Sequence, residues 1–145
     1  MTSFAPTLDR HARNTAIITQ LRSNAGRTDG GQVLVILRTI GLRSGQEREI
    51  PVCVREDGED LIVVASAGGQ PTHPQWYPNV VARPDITVEY LGETFRARAT
   101  TERNTPERDR LFGLLSEEVT GLYEYQDRCR DHRQIPVVRL QRVSA

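Results

Sequence analysis

The chain has 145 residues, 37% of them hydrophobic, and its 19 basic and 19 acidic side chains cancel to a net charge of zero. That is about one domain's worth of sequence, enough for one compact core and too little for two. All 19 basic residues are arginine, which excludes chemistries that need a lysine: a Schiff-base pyridoxal phosphate enzyme, a Walker A phosphate loop and a lysine-based aldolase.

In chain order, residues 8–23 place Leu8, Ala12, Ile17, Ile18 and Leu21 at helical spacing and predict an N-terminal helix, broken by the Gly-rich stretch at residues 26–31. Val33–Ile40 is β-branched and apolar on both faces, the pattern of a buried strand. Ile50–Glu56 and Leu61–Ser66 flank an Asp57-Gly58 turn and read as an antiparallel pair. Pro74 to Arg83-Pro84 brackets a short helix. Ile86, Val88 and Tyr90, then Phe95, Ala97 and Ala99, alternate with polar residues around Gly92, a second hairpin with one wet face. Thr105-Pro106-Glu107 starts a longer helix, with Thr105 as its cap and Leu111, Phe112, Leu115 and Val119 as its buried stripe. Ile135–Arg142 is the closing strand, with Pro136 pointing to an edge position. Five or six strands with short helices predict a small antiparallel barrel with helical decoration. The expected organisation is one domain over residues 1–145, of which 1–30 are the N-terminal helix and linker.

The longest apolar runs, Val33–Leu37 and Leu61–Ala65, are five residues each, too short to span a bilayer. The N-terminus lacks the basic start and apolar stretch of a signal peptide, so a cytoplasmic location is expected. Cys53 and Cys129 lie 76 positions apart without a CxxC, and His11, His73 and His132 fall in separate elements, so no metal site is expected. No GxSxG, GxGxxG or HExxH occurs. A balanced charge argues against a nucleic-acid partner. The charge is nonetheless uneven: residues 1–48 carry seven Arg against three acids, +4, and residues 49–102 carry four Arg against nine acids, −5.

Two segments stand out. In Thr39–Arg48 (TIGLRSGQER), glycines bracket Arg43, Ser44 and Arg48; such a loop is either an ordinary hydrophilic turn or a nest of amides and guanidinium groups for an anion. In Ala65–Asn79 (ASAGGQPTHPQWYPN), a strand ends in Ser66, Gly68-Gly69 allows close backbone approach, and the single Trp follows. That segment is either a turn beside a core Trp or a bed for a flat ring.

These segments resemble the deazaflavin-dependent nitroreductase family, whose members bind coenzyme F420 in a split β-barrel. The resemblance rests on Gly41, Arg43, Ser44, Gly45, Gln46 and Arg48, on Pro51, on Asp57-Gly58 and on Val63-Val64-Ala65-Ser66. It continues through Gly68-Gly69, His73-Pro74, Trp76-Tyr77, Asn79, Ala82 and Pro84, and closes on Tyr125-Gln126 and Ile135-Pro136-Val137-Val138. It covers residues 33–140. It implies a mainly β fold, an antiparallel split barrel like that of FMN-binding proteins, and transfer of hydride from the reduced deazaflavin to an electron-poor acceptor such as a quinone, an activated enone or a nitro compound. It implies that Arg43, Ser44 and Arg48 hold the coenzyme's phosphate and glutamate tail. Ala65, Ser66, Gly68 and Gly69 would line the ring, with Pro51, Val52 and Cys53 on its other side. Trp76 is then a pocket wall and Asn79 an amide anchor, and Tyr125 or Ser66 supplies the proton.

The chain departs from the family at Leu42, where a second basic residue is usual, at Glu47, where proline is common, and at Cys53, Val119 and Leu122, which stand for tyrosines. A pocket rebuilt in this way is expected to take other acceptors than nitroimidazoles. An FMN-binding split-barrel reductase and a non-catalytic deazaflavin-binding protein stay open as alternatives, as do a homodimer and a peripheral membrane contact.

Overall fold

The computed structural model describes residues 6–143, with side chains from Arg10 onward. Its elements are α1 (Pro6–Ser23), β1 (Leu34–Ile40), β2 (Glu47–Cys53), β3 (Arg55–Asp57), β4 (Asp60–Val64), a single 3₁₀ turn (Ala67–Gly69), α2 (Trp76–Ala82), β5 (Asp85–Tyr90), β6 (Glu93–Thr101), α3 (Thr105–Ser116), α4 (Leu122–Cys129) and β7 (Val137–Arg142). The seven strands form one sheet in the order β2-β1-β5-β6-β7-β4-β3, and every neighbouring pair is antiparallel.

The two edge strands of that order are consecutive in the chain, separated only by Val54, which is buried. The run from Glu47 to Asp57 is therefore one bent strand. Its first part pairs with β1 and its last part with β4, so the bend brings the two edges of the sheet together and curls it into a barrel. This change of partner accounts for seven strands where the sequence pattern predicts five or six. β3 faces β4 only from Asp60 to Ile62; beyond that point β4 has no strand on this side, and the barrel is split between β2 and β4.

The interior is filled from all sides by Val35, Leu37, Val63, Val88, Ala97 and Val138, each at most 1% exposed. On β6 the alternation holds as expected, with Ala97 and Ala99 inside and Arg96 and Arg98 in solvent. Trp76 and Val80 of α2 plug one end of this core. Two helical clusters cover the outside. Ile18 and Leu21 of α1 pack on Leu34 and Ile36 of β1, while Ala12 stays exposed and Leu8 lies outside the described side chains. Leu111, Phe112 and Leu115 of α3 and Leu122 of α4 pack on Ile62, Val64 and Val137; burial of each such side chain is worth about 1.5–3 kcal/mol. Val119 lies past the end of α3 and is half-buried.

Two local expectations are corrected. The cap of α3 is Asn104, not Thr105: its Oδ1 accepts from the Glu107 N–H at 3.1 Å, which leaves Thr105 as the first helical residue. β7 is an interior strand between β6 and β4, not an edge. Pro136 is compatible with this because it precedes the strand, where only its carbonyl is used, accepting from the Ala65 N–H at 3.0 Å.

Candidate functional site

β1 and β4 run in the same direction, since four antiparallel pairings separate them in the sheet. The loop after β1 and the turn after β4 therefore emerge at the same end of the barrel. These are the two segments that stand out in the sequence.

At the end of β4, Ala65 is fully buried and the backbone then turns through three successive left-handed residues, Ala67 (φ 46°), Gly68 (φ 62°) and Gly69 (φ 78°). Gly69 lies against α4: a Cβ there would sit 2.8 Å from the Tyr125 carbonyl oxygen and 2.9 Å from its Cα. The carbonyls of this turn are taken up by two arginines. Arg133 donates from Nη1 to Ala65 (2.9 Å), from Nη2 to Ser66 (2.8 Å) and from Nε to Gln70 (2.9 Å), and its Nη1 also meets His73 Nδ1 at 3.0 Å. Arg128 donates to the Gly68 carbonyl at 2.9 Å and lies over the Tyr125 ring. By contrast, the N–H groups of Ser66, Ala67 and Gly68 have no acceptor among the described residues. Carbonyls taken up by arginines beside N–H groups without acceptors make this turn a donor surface for an electron-rich ligand.

The loop after β1 is closed by its own backbone. Gly41 N–H donates to Gln46 (2.8 Å), Gly45 N–H to Gly41 (2.9 Å), and Ser44 Oγ accepts from Gln46 N–H (3.1 Å). Asn79 ties it to α2. This side chain, 1% exposed, accepts from Leu42 N–H (3.0 Å) and Gln75 Nε2 (3.3 Å) and donates to Thr39 Oγ1 (3.3 Å). Asn79 thus orients the loop from within the fold. Trp76 likewise belongs to the barrel core, at 5% exposure. Arg43 and Arg48 are exposed and have no carboxylate partner among the described residues. Their neighbour Glu47 sits 3.6 Å from Arg38 instead.

Along β2, Ile50 and Val52 pack against the barrel interior, so by strand alternation Pro51 and Cys53 face outward. Cys53 packs with the α1 cluster and accepts from Gln32 Nε2 at 3.8 Å; burial pushes its thiol pKa up, with the Glu118 carboxylate adding to the shift. A thiol so disfavoured as thiolate is an apolar lining group rather than a nucleophile. Tyr125 packs with the α3–α4 cluster. The hydroxyls of Ser66 and Tyr125 make no hydrogen bond among the described residues. A hollow of about 540 Å³ at the opposite end of the barrel, beside Glu56, Glu59, Asp60 and Glu93, contains none of the predicted residues, and its acidic rim would repel an anionic coenzyme.

Sequence reasoning misses Arg128 and Arg133. They lie in a charged stretch, DRCRDHRQ, that reads as solvated surface, and only the packing of α4 against the 65–69 turn reveals their task.

Fold and topology define a split β-barrel, and the comparisons with known proteins agree. The model of the F420H(2)-dependent quinone reductase family matches residues 11–142. An F420H(2)-dependent quinone reductase of Mycobacterium tuberculosis is 33% identical over 118 residues, 80% of this chain and 78% of that protein. A solved F420-H2 dependent reductase superposes with a TM-score of 0.65 at 30% identity, covering 74% of this chain and 93% of that one. A solved domain-swapped dimer reaches 0.66 at 30% identity over 94% and 100% of the two chains. HutZ, the heme storage protein from Vibrio cholerae, shares the fold alone, at 15% identity and a TM-score of 0.57 over 88% of this chain and 89% of that one. The chain belongs to the F420H(2)-dependent quinone reductase family. It is an oxidoreductase, and its coenzyme is F420. Among the described residues, no helix is long and apolar enough to cross a membrane.

Proposed function

We propose that the protein reduces a quinone with reduced F420, bound across the barrel end that carries Gly41–Arg48 and Ala65–Gly69. The observation that carries this reading is the pairing, at one end of the barrel, of two arginines without carboxylate partners and three backbone N–H groups without acceptors among the described residues. A coenzyme with an anionic tail and an electron-rich flat ring matches both. Arg43, Ser44 and Arg48 hold the phosphate and glutamates of the tail through charge-assisted hydrogen bonds. The N–H groups of Ser66, Ala67 and Gly68 meet the ring edge, and Gly68, with nothing within 4 Å of an added Cβ, keeps the approach free of bulk. Ala65 and Gly69 seat the turn beneath the ring, and Pro51, the Val52 backbone and Cys53 form the other side.

The coenzyme supplies a hydride, and reduction of a quinone to the hydroquinone needs one proton besides. Ser66 and Tyr125 present the hydroxyls nearest the turn that make no hydrogen bond within the fold, and either can hold that proton towards the acceptor oxygen or relay it from water. Cys53, small and apolar in character, leaves room on the α1 side of the outer β2 face for a flat acceptor. The same room suits activated enones and nitro compounds as slower substrates.

Titration with F420 and with FMN, read by quenching of Trp76, the only tryptophan, tests the coenzyme assignment. Anaerobic reoxidation of the reduced coenzyme by a naphthoquinone, an enone and a nitroimidazole tests the acceptor. Tighter binding of F420 and fastest reoxidation by the quinone are expected. Equal or tighter binding of FMN overturns the coenzyme reading, and a quinone no faster than the other two overturns the acceptor reading.

A further inference from the structure

We infer that Arg133 is a positioning residue for the coenzyme ring: by gripping the carbonyls of Ala65 and Ser66, whose peptide planes carry the Ser66 and Ala67 N–H groups, and by anchoring the turn at the Gln70 carbonyl, it aims those two donors at the ligand. The inference rests on the coenzyme reading above and assigns a residue that touches neither coenzyme nor acceptor.

Three observations carry it. One guanidinium contacts four groups of a single segment: three carbonyls at 2.8–2.9 Å and the His73 ring at 3.0 Å. A planar fork with five N–H donors can do this, whereas the point charge of an ammonium cannot reach three carbonyls in one plane. Secondly, the segment it grips is a single 3₁₀ turn in which Ala67, Gly68 and Gly69 are all left-handed, and among the described residues only two backbone bonds, Gly69 N–H to Ser66 and Gln70 N–H to Ala67, close it. Without Arg133, the Ala65 and Gln70 carbonyls would lose their only side-chain donor and the peptide planes would be free to rotate. Rotation of a peptide plane turns its N–H as well as its carbonyl, so the hold on the Ala65 and Ser66 carbonyls sets the direction of the Ser66 and Ala67 N–H groups.

Thirdly, the charge of Arg133 is not spent on a carboxylate. All its partners are neutral, and burial lowers its pKa, although a guanidinium stays protonated. Arg128, on the Gly68 carbonyl, also lacks a carboxylate partner among the described residues. Arg130, between them in the sequence, is paired with Asp127. Arg133 polarises the two peptides whose N–H groups, those of Ser66 and Ala67, are without acceptors among the described residues, and makes them stronger donors, while Arg128 holds the peptide of the Gly68 carbonyl in place. An electron-rich ring edge is the complementary partner.

The test separates positioning from simple structural support and from failure of the coenzyme reading. Arg133→Ala is compared with Arg133→Lys and Arg133→Gln, which keep more of the packing should the alanine variant not fold. Binding of F420 is expected to weaken about tenfold or more in each, the equivalent of at least one lost hydrogen bond to a charged group. The same loss is expected for a deazaflavin stripped of phosphate and glutamates, because the defect lies at the ring. Methylguanidinium at millimolar concentration should restore binding to Arg133→Ala, and methylammonium at equal ionic strength should not.

Amide spectra of the coenzyme-free protein give a readout independent of the ligand. The Ser66, Ala67 and Gly68 resonances should shift or broaden in the variants and return with methylguanidinium, while those of β1 and β5 stay in place. Affinity within twofold of the parent in all three variants, or unchanged amides at Ser66–Gly68, overturns the inference. Loss of F420 binding that is confined to the full coenzyme and absent for the stripped ring also overturns it. Failure of the parent protein to bind F420 would instead sink the coenzyme reading, and the amide spectra would still decide whether Arg133 sets the turn.

Discussion

Gly68 and Gly69 adjoin in the site turn and share a left-handed backbone, yet replacing each with alanine should have different consequences. For either, holding a Cβ-bearing residue at a φ of 62° or 78° costs about 1–2 kcal/mol, offset by roughly 0.4–1 kcal/mol from the stiffer unfolded chain. At Gly68 nothing lies within 4 Å of the added methyl group, so that difference is the whole effect. At Gly69 the methyl meets the Tyr125 backbone at 2.8 and 2.9 Å and its Cβ at 3.2 Å. Backbone in a helix cannot turn aside as a flexible side chain would, so α4 must shift, and overpacking of this kind adds about 1–3 kcal/mol. Gly69→Ala should therefore be less stable than Gly68→Ala by about 1–3 kcal/mol in urea unfolding followed by Trp76 fluorescence. Because α4 carries Tyr125 and Arg128, Gly69→Ala should also lose reductase turnover out of proportion to its stability. Unfolding midpoints and slopes that agree for the two variants would refute the contact between this turn and α4.

Arg48→Ala should weaken F420 binding by about ten- to a hundredfold in a fluorescence titration, and the defect should vanish for a deazaflavin lacking the tail; a defect that persists there would place Arg48 in the fold instead. Tyr125→Phe removes only a hydroxyl, so it should lower turnover with little change in coenzyme affinity, and unchanged steady-state rates on every acceptor would remove this residue from the proton path. The Glu89 carboxylate accepts from Arg22 Nε at 3.0 Å and Nη2 at 2.7 Å, which holds its pKa below the ordinary glutamate value. A depressed folded value means that the unfolded chain takes the proton more readily, so this stabilisation is full above about pH 4.3 and is lost as the pH falls through the folded value. Glu89→Gln should accordingly flatten the acid limb of a plot of Tm against pH, and an unaltered slope would show that the ion pair contributes nothing.

Features that depend on local pattern were legible in the sequence. β1 declares itself because both its faces are apolar, and the two hairpins because Asp57-Gly58 and Gly92 interrupt clean alternation. The partner switch at Val54 was not legible, because the alternation of EREIPVCVRED runs through it unbroken and only the closure of the barrel assigns its two parts to different neighbours. Pro136 misled for a related reason: proline excludes a ladder position, but one residue before the strand that restriction has no effect. In the site, Arg43 and Arg48 stood out because glycines bracket them. Trp76 and Asn79 were recognisable as motif residues, but whether a motif residue faces ligand or core is a property of packing. Asn79 illustrates this most clearly, since its amide is used up by Thr39, Leu42 and Gln75.

The absence of lysine gains a physical meaning in this context. Arg22, Arg110 and Arg139 each join two or more carboxylates on the outside of the sheet, an attraction between opposite charges that brings modest gain in solvent. Arg43 and Arg48 are proposed to offer charge to the coenzyme tail, and there a lysine would supply much of the same attraction. Arg108 and Arg133 differ from both groups. Arg108, 8% exposed, donates to the Ile135 carbonyl at 2.7 Å and to Gln126 at 3.1 Å while lying over the Phe112 ring; Arg133 spans three carbonyls and an imidazole. Both are backbone-holding devices that depend on a planar group with donors in fixed directions, and a strongly hydrated ammonium in either place would leave carbonyls unpaired. Both also act on the same junction, where β4 hands over to the site turn and the chain returns into β7. A composition that looks like a uniform preference for one basic residue thus covers two kinds of position, one satisfied by charge and one only by geometry. The geometric kind is concentrated behind the segment on which the coenzyme ring is proposed to lie.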